Sequence, residues 1–292
     1  MIKLEGFFIN LLNGLSFGAV LFLLAAGLSL ILGLMGMLNL AYGALFLFGA
    51  YVGVFLVREG MNFLLAALGG GLSAAFIGLL KERSFLRYLH GHILEQVLIS
   101  FGFVYMLTNI ATWIWGTSPQ IVTSPIGGSI HIGELTFPLY RLLMIFAGMG
   151  VVLGLYAFDR TKVGAMIRAG MDNRQMTMGL GINIGVIFTL VFCLGSFIAG
   201  FAGIIGVPLV GAYPEVAMDA LILALIVVVV GGKGSIPLSK VPRTIRVKLG
   251  GGKGIAIFSS LLDIQLDIQL SLGVCVQLIP KRVLIKRSTF RW

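Results

Sequence analysis

The sequence predicts an all-α protein, a polytopic transmembrane helical bundle of about seven to eight spans. Three observations lead there. Of 292 residues, 58% are apolar and only 11% are charged, against roughly 25% charged in an ordinary soluble domain. The mean hydropathy is +1.05. Apolar runs near the roughly 20 residues needed to cross a bilayer core recur from the N-terminus to Val230. A water-soluble enzyme does not have this composition.

The runs are Phe7 to Leu34, Met37 to Val57, Met61 to Leu80, Ile93 to Trp115, Pro138 to Phe158, Gly185 to Val207, and a short one, Ala220 to Val230. The first is too long, and too free of an early basic region, for a cleaved signal peptide; it reads as a retained span. The 41 glycines suit membrane helices that approach each other through small residues. Trp113 and Trp115 stand where the fourth span ends, as interfacial anchors would. The connection after them is the longest, and Ile121 to Ile132 has room for a short strand pair or an irregular cap.

Charge placement orients the bundle. Lys81, Arg83 and Arg87 lie between the third and fourth spans, and Arg160, Lys162, Arg168 and Arg174 between the fifth and sixth. The alternating connections are poor in Lys and Arg, so the positive-inside rule makes the two basic segments cytoplasmic. Counting back, the N-terminus faces outward. The formal charge of +10 does not indicate nucleic acid. Residues 1–232 hold ten basic and nine acidic side chains, whereas the last sixty residues hold eleven and two.

Nothing in the chain resembles an enzyme site. Two cysteines in apolar runs and three scattered histidines indicate neither a disulfide framework nor a metal centre. A Walker motif is absent, because the position five before Gly232 is Val227 and no Ser or Thr follows Lys233 or Lys253. Polar residues within the runs are Asn13, Ser16, Asn39, Asn109 and Ser196, with Glu95 at a span end. Interhelical hydrogen bonding is their first reading, and substrate contact the second. The lack of a buried charge chain argues against a proton- or sodium-coupled carrier. The connection from 158 to 184 is the most informative stretch. Asp172 or Asn173 can cap a short helix of about two turns, ended by Gly179 and Gly181.

Two segments then resemble one family. GLMGMLNLAYGALFLFGAYV (Gly33 to Val52) and VGAMIRAGMDNRQMTMGLGIN (Val163 to Asn183) are similar to the permease subunits of high-affinity branched-chain amino acid ABC transporters. Permeases for urea and short amides are close relatives. GTSPQ after Trp115 and VVVVGGKGSIP (Val227 to Pro237) fit the same pattern, in the same order. The resemblance implies an inner-membrane subunit that binds no cofactor, ATP being used by partner subunits. Those partners are a second permease, two cytoplasmic ATPases and a periplasmic substrate-binding protein. It assigns Gly164, Arg168, Ala169, Asp172, Asn173 and Gly181 to the loop that docks on the ATPase. Asn39, Tyr42, Gly36, Gly43 and Gly49 become candidates for the pathway or for the packing around it; the family often has His where Tyr42 stands. The implied cargo is a branched-chain amino acid, with urea or a short amide as the alternative within the family. A self-sufficient channel or secondary carrier is the alternative outside it.

Residues 1–237 read as the permease domain and 238–292 as an atypical basic tail. Leu262 to Leu272 alternates apolar and polar residues, including a tandem LDIQ, which is strand periodicity. A span over Ile255 to Ile279 would carry Asp263 and Asp267, each costing about 2.5–3.5 kcal/mol near a helix centre. A reading-frame shift near codon 238, a diverged basic extension and a working last span all remain open. Reading the gene in its other two frames past codon 237 separates them. An apolar, helix-length run there is the expected result of a frame shift, and its absence removes that explanation.

Overall fold

A computed structural model describes residues 2–35, 39–89, 92–122, 129–132 and 135–230. The apolar runs become helices in the expected order: α1 (Ile2–Met35), α2 (Tyr42–Arg58), α3 (Phe63–Ser84), α4 (Ile93–Trp115), α5 (Leu139–Asp159), α8 (Ile184–Val210) and α9 (Val216–Val230). Between α5 and α8 lie two short helices, α6 (Lys162–Asp172) and α7 (Arg174–Gly179). Stretches of α1, α3, α4, α5 and α8 are long and apolar enough to cross a membrane; α2 and α9 are apolar but shorter. The protein is thus a helical membrane bundle with seven apolar helices among the described residues. The tail after Pro237, including any further span there, lies outside them, as does Gly36.

Among the described residues one antiparallel hairpin, β1 (Ser129–Ile132) and β2 (Leu135–Pro138), caps one end, with Ile130 opposite Phe137. It sits a few residues later than Ile121 to Ile132, because the chain after α4 is first held by a bridge between Gln120 and Ala212. The end that carries the hairpin is called here the hairpin end. The other carries Arg83, Arg87, α6 and α7, and is called the basic end.

Helix α8 is the post of the bundle. It runs alongside α2 and antiparallel to α3, and the three meet through glycine. A Cβ on Gly49 would lie 2.2 Å from Gly200 Cα, one on Gly70 would lie 2.5 Å from Gly49 O, and one on Gly200 would lie 2.5 Å from Ala74 Cβ. No side chain fits, so the backbones touch, as small-residue membrane packing requires. The outer surface is apolar, with Leu64, Leu72, Phe76, Phe101, Phe146 and Leu153 exposed, since lipid imposes no penalty on them.

Two expectations change. Trp113 projects outward, but Trp115 stacks on Tyr51 at 5.3 Å and meets the edge of Phe48 at 5.9 Å. It packs inside the bundle and does not anchor it. Helix α2 begins at Tyr42, five residues later than the apolar run, so Asn39 precedes the helix and is not within it. The Tyr42 hydroxyl lies against Gly27, beside Gly195 O of α8. Eleven residues of α8 separate Ile184 from Gly195, about 16 Å of helical rise. Helix α2 therefore starts deep within the bundle.

A side chain at the three-glycine contact forces two backbones apart. Gly200→Leu should lower stability by about 1–3 kcal/mol, the usual cost of overpacking, whereas Gly150→Ala and Gly154→Ala, with nothing within 4 Å of the added methyl, should cost nothing measurable. Melting of the purified variants in detergent checks this, and equal losses at all three positions would contradict the packing described.

Candidate functional site

Two places carry the chemistry, a helical corner at the basic end and a polar cluster inside the bundle. At the corner, α5 ends at Asp159 and the chain turns at once into α6. Thr161 caps α6 by accepting from Gly164 N at 3.2 Å, while its own hydroxyl donates to Phe158 O at 2.6 Å. A Cβ on Gly164 would lie 2.6–2.8 Å from Phe158 O and the Asp159 backbone, so only glycine allows the turn to close. One turn on, Arg168 donates to both the carbonyl and the carboxylate of Asp159. Its guanidinium is committed to bracing the corner.

Helix α6 has a strongly apolar face. Ile167 is buried with Ile187 and Val191 of α8, and Leu30, Phe158, Val163 and Ile182 close around them. Ala169, half-buried, gives its carbonyl to Asn173 N at 3.0 Å, which ends α6 after Asp172. Asn173 then caps α7, accepting from Met176 N at 3.0 Å, and Gly181 leaves that helix at a φ of 78°. The single short helix expected from the sequence is therefore a pair, with Asn173 as the hinge residue between them. The pair leaves Met176, Met178 and Leu180 bare, at 68%, 51% and 70% exposure.

The second place was not visible as a site in the sequence. Lys81, read there as a loop charge, lies in the last turn of α3 and is 1% exposed. Its Nζ donates to Asn39 Oδ1 at 2.6 Å and to Ser100 Oγ of α4 at 3.2 Å, with the rings of Phe103 and Phe192 5.3 and 5.8 Å away. Glu82, fully buried, faces α8, where its Oε2 accepts from Thr189 Oγ1 at 2.6 Å. Taking an ammonium out of water costs several kcal/mol. Two hydrogen bonds and two aromatic faces offset part of that. A signal for this pair existed: Ala67, Gly70, Gly71, Ala74, Ala75 and Gly78 form the inward stripe of α3, and continuing its period lands on Lys81 and Glu82.

The remaining predicted residues divide. Tyr42 is buried, with its hydroxyl against the backbones of α1 and α8. Gly43 packs on α9, where an added Cβ would sit 1.9 Å from Ala217 O, and Gly49 belongs to the three-helix contact. Only Asn39 of this group joins the Lys81 cluster. Of the other polar span residues, Asn13 makes an interhelical bond, accepting from Arg141 of α5. Ser16 and Asn109 bond within their own helices, and Glu95 pairs with His92 at 3.2 Å at the start of α4. No group of three metal-ligating side chains occurs among the described residues.

Residues 10–263 match the family model described as branched-chain amino acid transport system / permease component. The high-affinity branched-chain amino acid transport system permease protein BraD of Pseudomonas aeruginosa is 28% identical over 246 residues, covering 78% of this chain and 80% of BraD. The LivH permease proteins of Salmonella typhimurium and Escherichia coli, described in the same words, are each 27% identical over 248 residues, with the same coverage. No solved structure matches. The chain, matched over most of its length and folded as a bundle of membrane helices, belongs to the family of branched-chain amino acid transport permeases.

Proposed function

We propose that this chain is the membrane permease subunit of an ABC importer that passes branched-chain amino acids into the cytoplasm. The family match over residues 10–263 carries the reading, and BraD and LivH are named for that transport system. ATP is bound and hydrolysed by separate subunits, and the chain itself contributes no catalytic group. A second permease completes the pathway, two ATPases supply the work, and a periplasmic binding protein delivers the substrate. The chain lies in the inner membrane with its N-terminus outside. In support, Arg83 and Arg87 share one end of the bundle with Arg160, Lys162, Arg168 and Arg174, and the positive-inside rule assigns that end to the cytoplasm.

In this reading α6 and α7 are the docking element. The Asp159–Arg168 brace and the Ile167 cluster hold the pair against α5, α1 and α8, and Met176, Met178 and Leu180 are the side chains left for a partner. Methionine adapts its shape to a facing groove at little cost. Arg168 acts as a strut for the surface, and the partner touches the apolar side chains beyond it.

Cells carrying the complete operon should take up labelled leucine, isoleucine or valine and not urea. Uptake of urea alone would move the chain to the amide branch, and ATP-independent transport by the purified chain would refute the importer. Arg168→Glu should lower uptake by about tenfold or more, that is by at least 1.4 kcal/mol. The melting temperature should hardly move, because a half-exposed ion pair is worth about 0–1 kcal/mol. Charge exchange, Asp159→Arg with Arg168→Glu, should restore much of the loss. Leu180→Ser with Met176→Ser should release the ATPase on co-purification even with the brace intact; retention of the ATPase would move the docking surface elsewhere.

A further inference from the structure

The start of α2 is a helix N-terminus without a cap, buried inside the bundle. Its N-cap position is Ala41, which offers no side-chain acceptor. Tyr42 N turns back to Asn39 O at 3.2 Å and Leu45 N reaches Ala41 O at 3.1 Å. Between them the N–H groups of Gly43 and Ala44 meet no acceptor among the described residues. Asn39, Ala41, Tyr42, Gly43 and Ala44 are all buried. In water such groups are hydrated; about 16 Å in from the start of α8 they have no acceptor among the described residues, which is rare for a helix end.

The side chains around this point are also donors. Asn39 is 1% exposed, and its Oδ1 is taken by Lys81, leaving Nδ2 with no partner. Lys81 has a third hydrogen to give and no described carboxylate within ion-pairing distance. Glu82 does not answer it, since it turns to Thr189 on α8. Ser100 Oγ accepts from Lys81 and keeps its own hydrogen. The positive end of a helix dipole and two N–H groups without a described acceptor begin within five residues of Asn39, whose side chain carries the open amide donor and holds the Lys81 ammonium; the unpartnered carboxylate oxygen Glu82 Oε1 belongs to the side chain that faces α8. Membrane helices that begin within a bundle use such ends to hold anionic groups.

We propose that the buried start of α2 is a carboxylate site, in which Gly43 N, Ala44 N, Asn39 Nδ2 and Lys81 Nζ receive the carboxylate of an amino acid in transit. The site discriminates by charge and not by side chain: any small carboxylate fits the donors, and a neutral amide leaves Lys81 unanswered. It rests on the reading of the chain as an amino acid permease.

The test uses the assembled complex of both permeases and both ATPases in nanodiscs, without the binding protein, so that only the membrane part selects. Labelled leucine should bind, isovalerate should compete, and leucinamide, which keeps the amine and lacks the carboxylate, should not. Lys81→Gln should weaken leucine binding at least about tenfold, the 1.4 kcal/mol of one lost charge-assisted contact, and Lys81→Arg should retain most of it. Asn39→Asp is the decisive variant. Its carboxylate would pair with Lys81 and cap α2, so the melting temperature should rise while leucine binding falls. A merely structural role would raise stability and leave binding alone. Leucine that fails to bind the wild-type complex, that isovalerate cannot displace, or that binds Lys81→Gln and Asn39→Asp as it binds wild type overturns the site. Leucine uptake by cells carrying the whole operon is read in parallel. Uptake that persists while the site fails leaves the importer standing, and absent uptake refutes the importer itself.

Discussion

The backbone contact of α2 and α3 with α8, at Gly49, Gly70 and Gly200, is the constraint on which the rest of the structure depends. In lipid, helices gain little from burying apolar side chains against each other, because the tails are equally apolar; close van der Waals approach decides which helices pair. Glycine at these three positions brings the axes together and also fixes their heights. With Gly49 level with Gly200, the first residue of α2 must fall near Gly195, in the middle of α8. The internal start of α2, and the donors left open there, follow from that register. The same register carries Lys81 and Glu82 inward, because α3 continues past Gly78 along the face that Ser196, Phe192 and Thr189 present.

Much of this was legible in the sequence, and the exceptions have physical reasons. Helix order and span limits depend on apolar length and were read to within about five residues, α1 starting five before its run and α2 five after. That run begins at Met37, yet hydropathy cannot distinguish a helical residue from an apolar one in a buried turn. The Lys-Glu-Arg-Ser run after Leu80 reads as a loop because its charges are local while its partners are not: Asn39 lies 42 residues earlier and Thr189 lies 107 later. Arg141 was missed for the same reason, since Asn13 is 128 residues away. The corner after α5 was legible in part: the Asn173 cap and the glycine stop at Gly181 were read, whereas helix α6 and the caps at Thr161 and Asn183 were not. All three caps act on neighbours two or three residues on, and such signals are present in a short window. What the window could not show is where Arg168 points. As an exposed cation in a docking loop it suggests contact with a partner, and the carboxylate it holds belongs to its own chain.

That reassignment bears on how the corner works. A surface made of an arginine would depend on ionic strength and on an acidic partner. The proposed surface of Met176, Met178 and Leu180 would depend instead on shape and on removal of apolar area from water. The brace contributes little stability because it is half-exposed, yet it fixes the angle between α5 and α6. In that proposal a weak interaction is essential to assembly while remaining almost invisible to a melting curve.

The corner and the start of α2 share a wall. Leu30 of α1 packs into the Ile167 cluster under α6. Ile31, next in the chain, fills the space opposite Gly195, and Gly27 one turn earlier lies against the Tyr42 hydroxyl. One stretch of α1, Gly27 to Ile31, therefore touches α6 on one side and the α2 start on the other. Helix α6 cannot move away from α1 alone without opening a void at Ile167, at about 24 cal/mol for each Å³ of cavity, so a modest displacement is transmitted more cheaply than it is absorbed. Under the proposed docking, work delivered to Met176 and Leu180 would reach α1 and α8 as a rigid shift of packed helices.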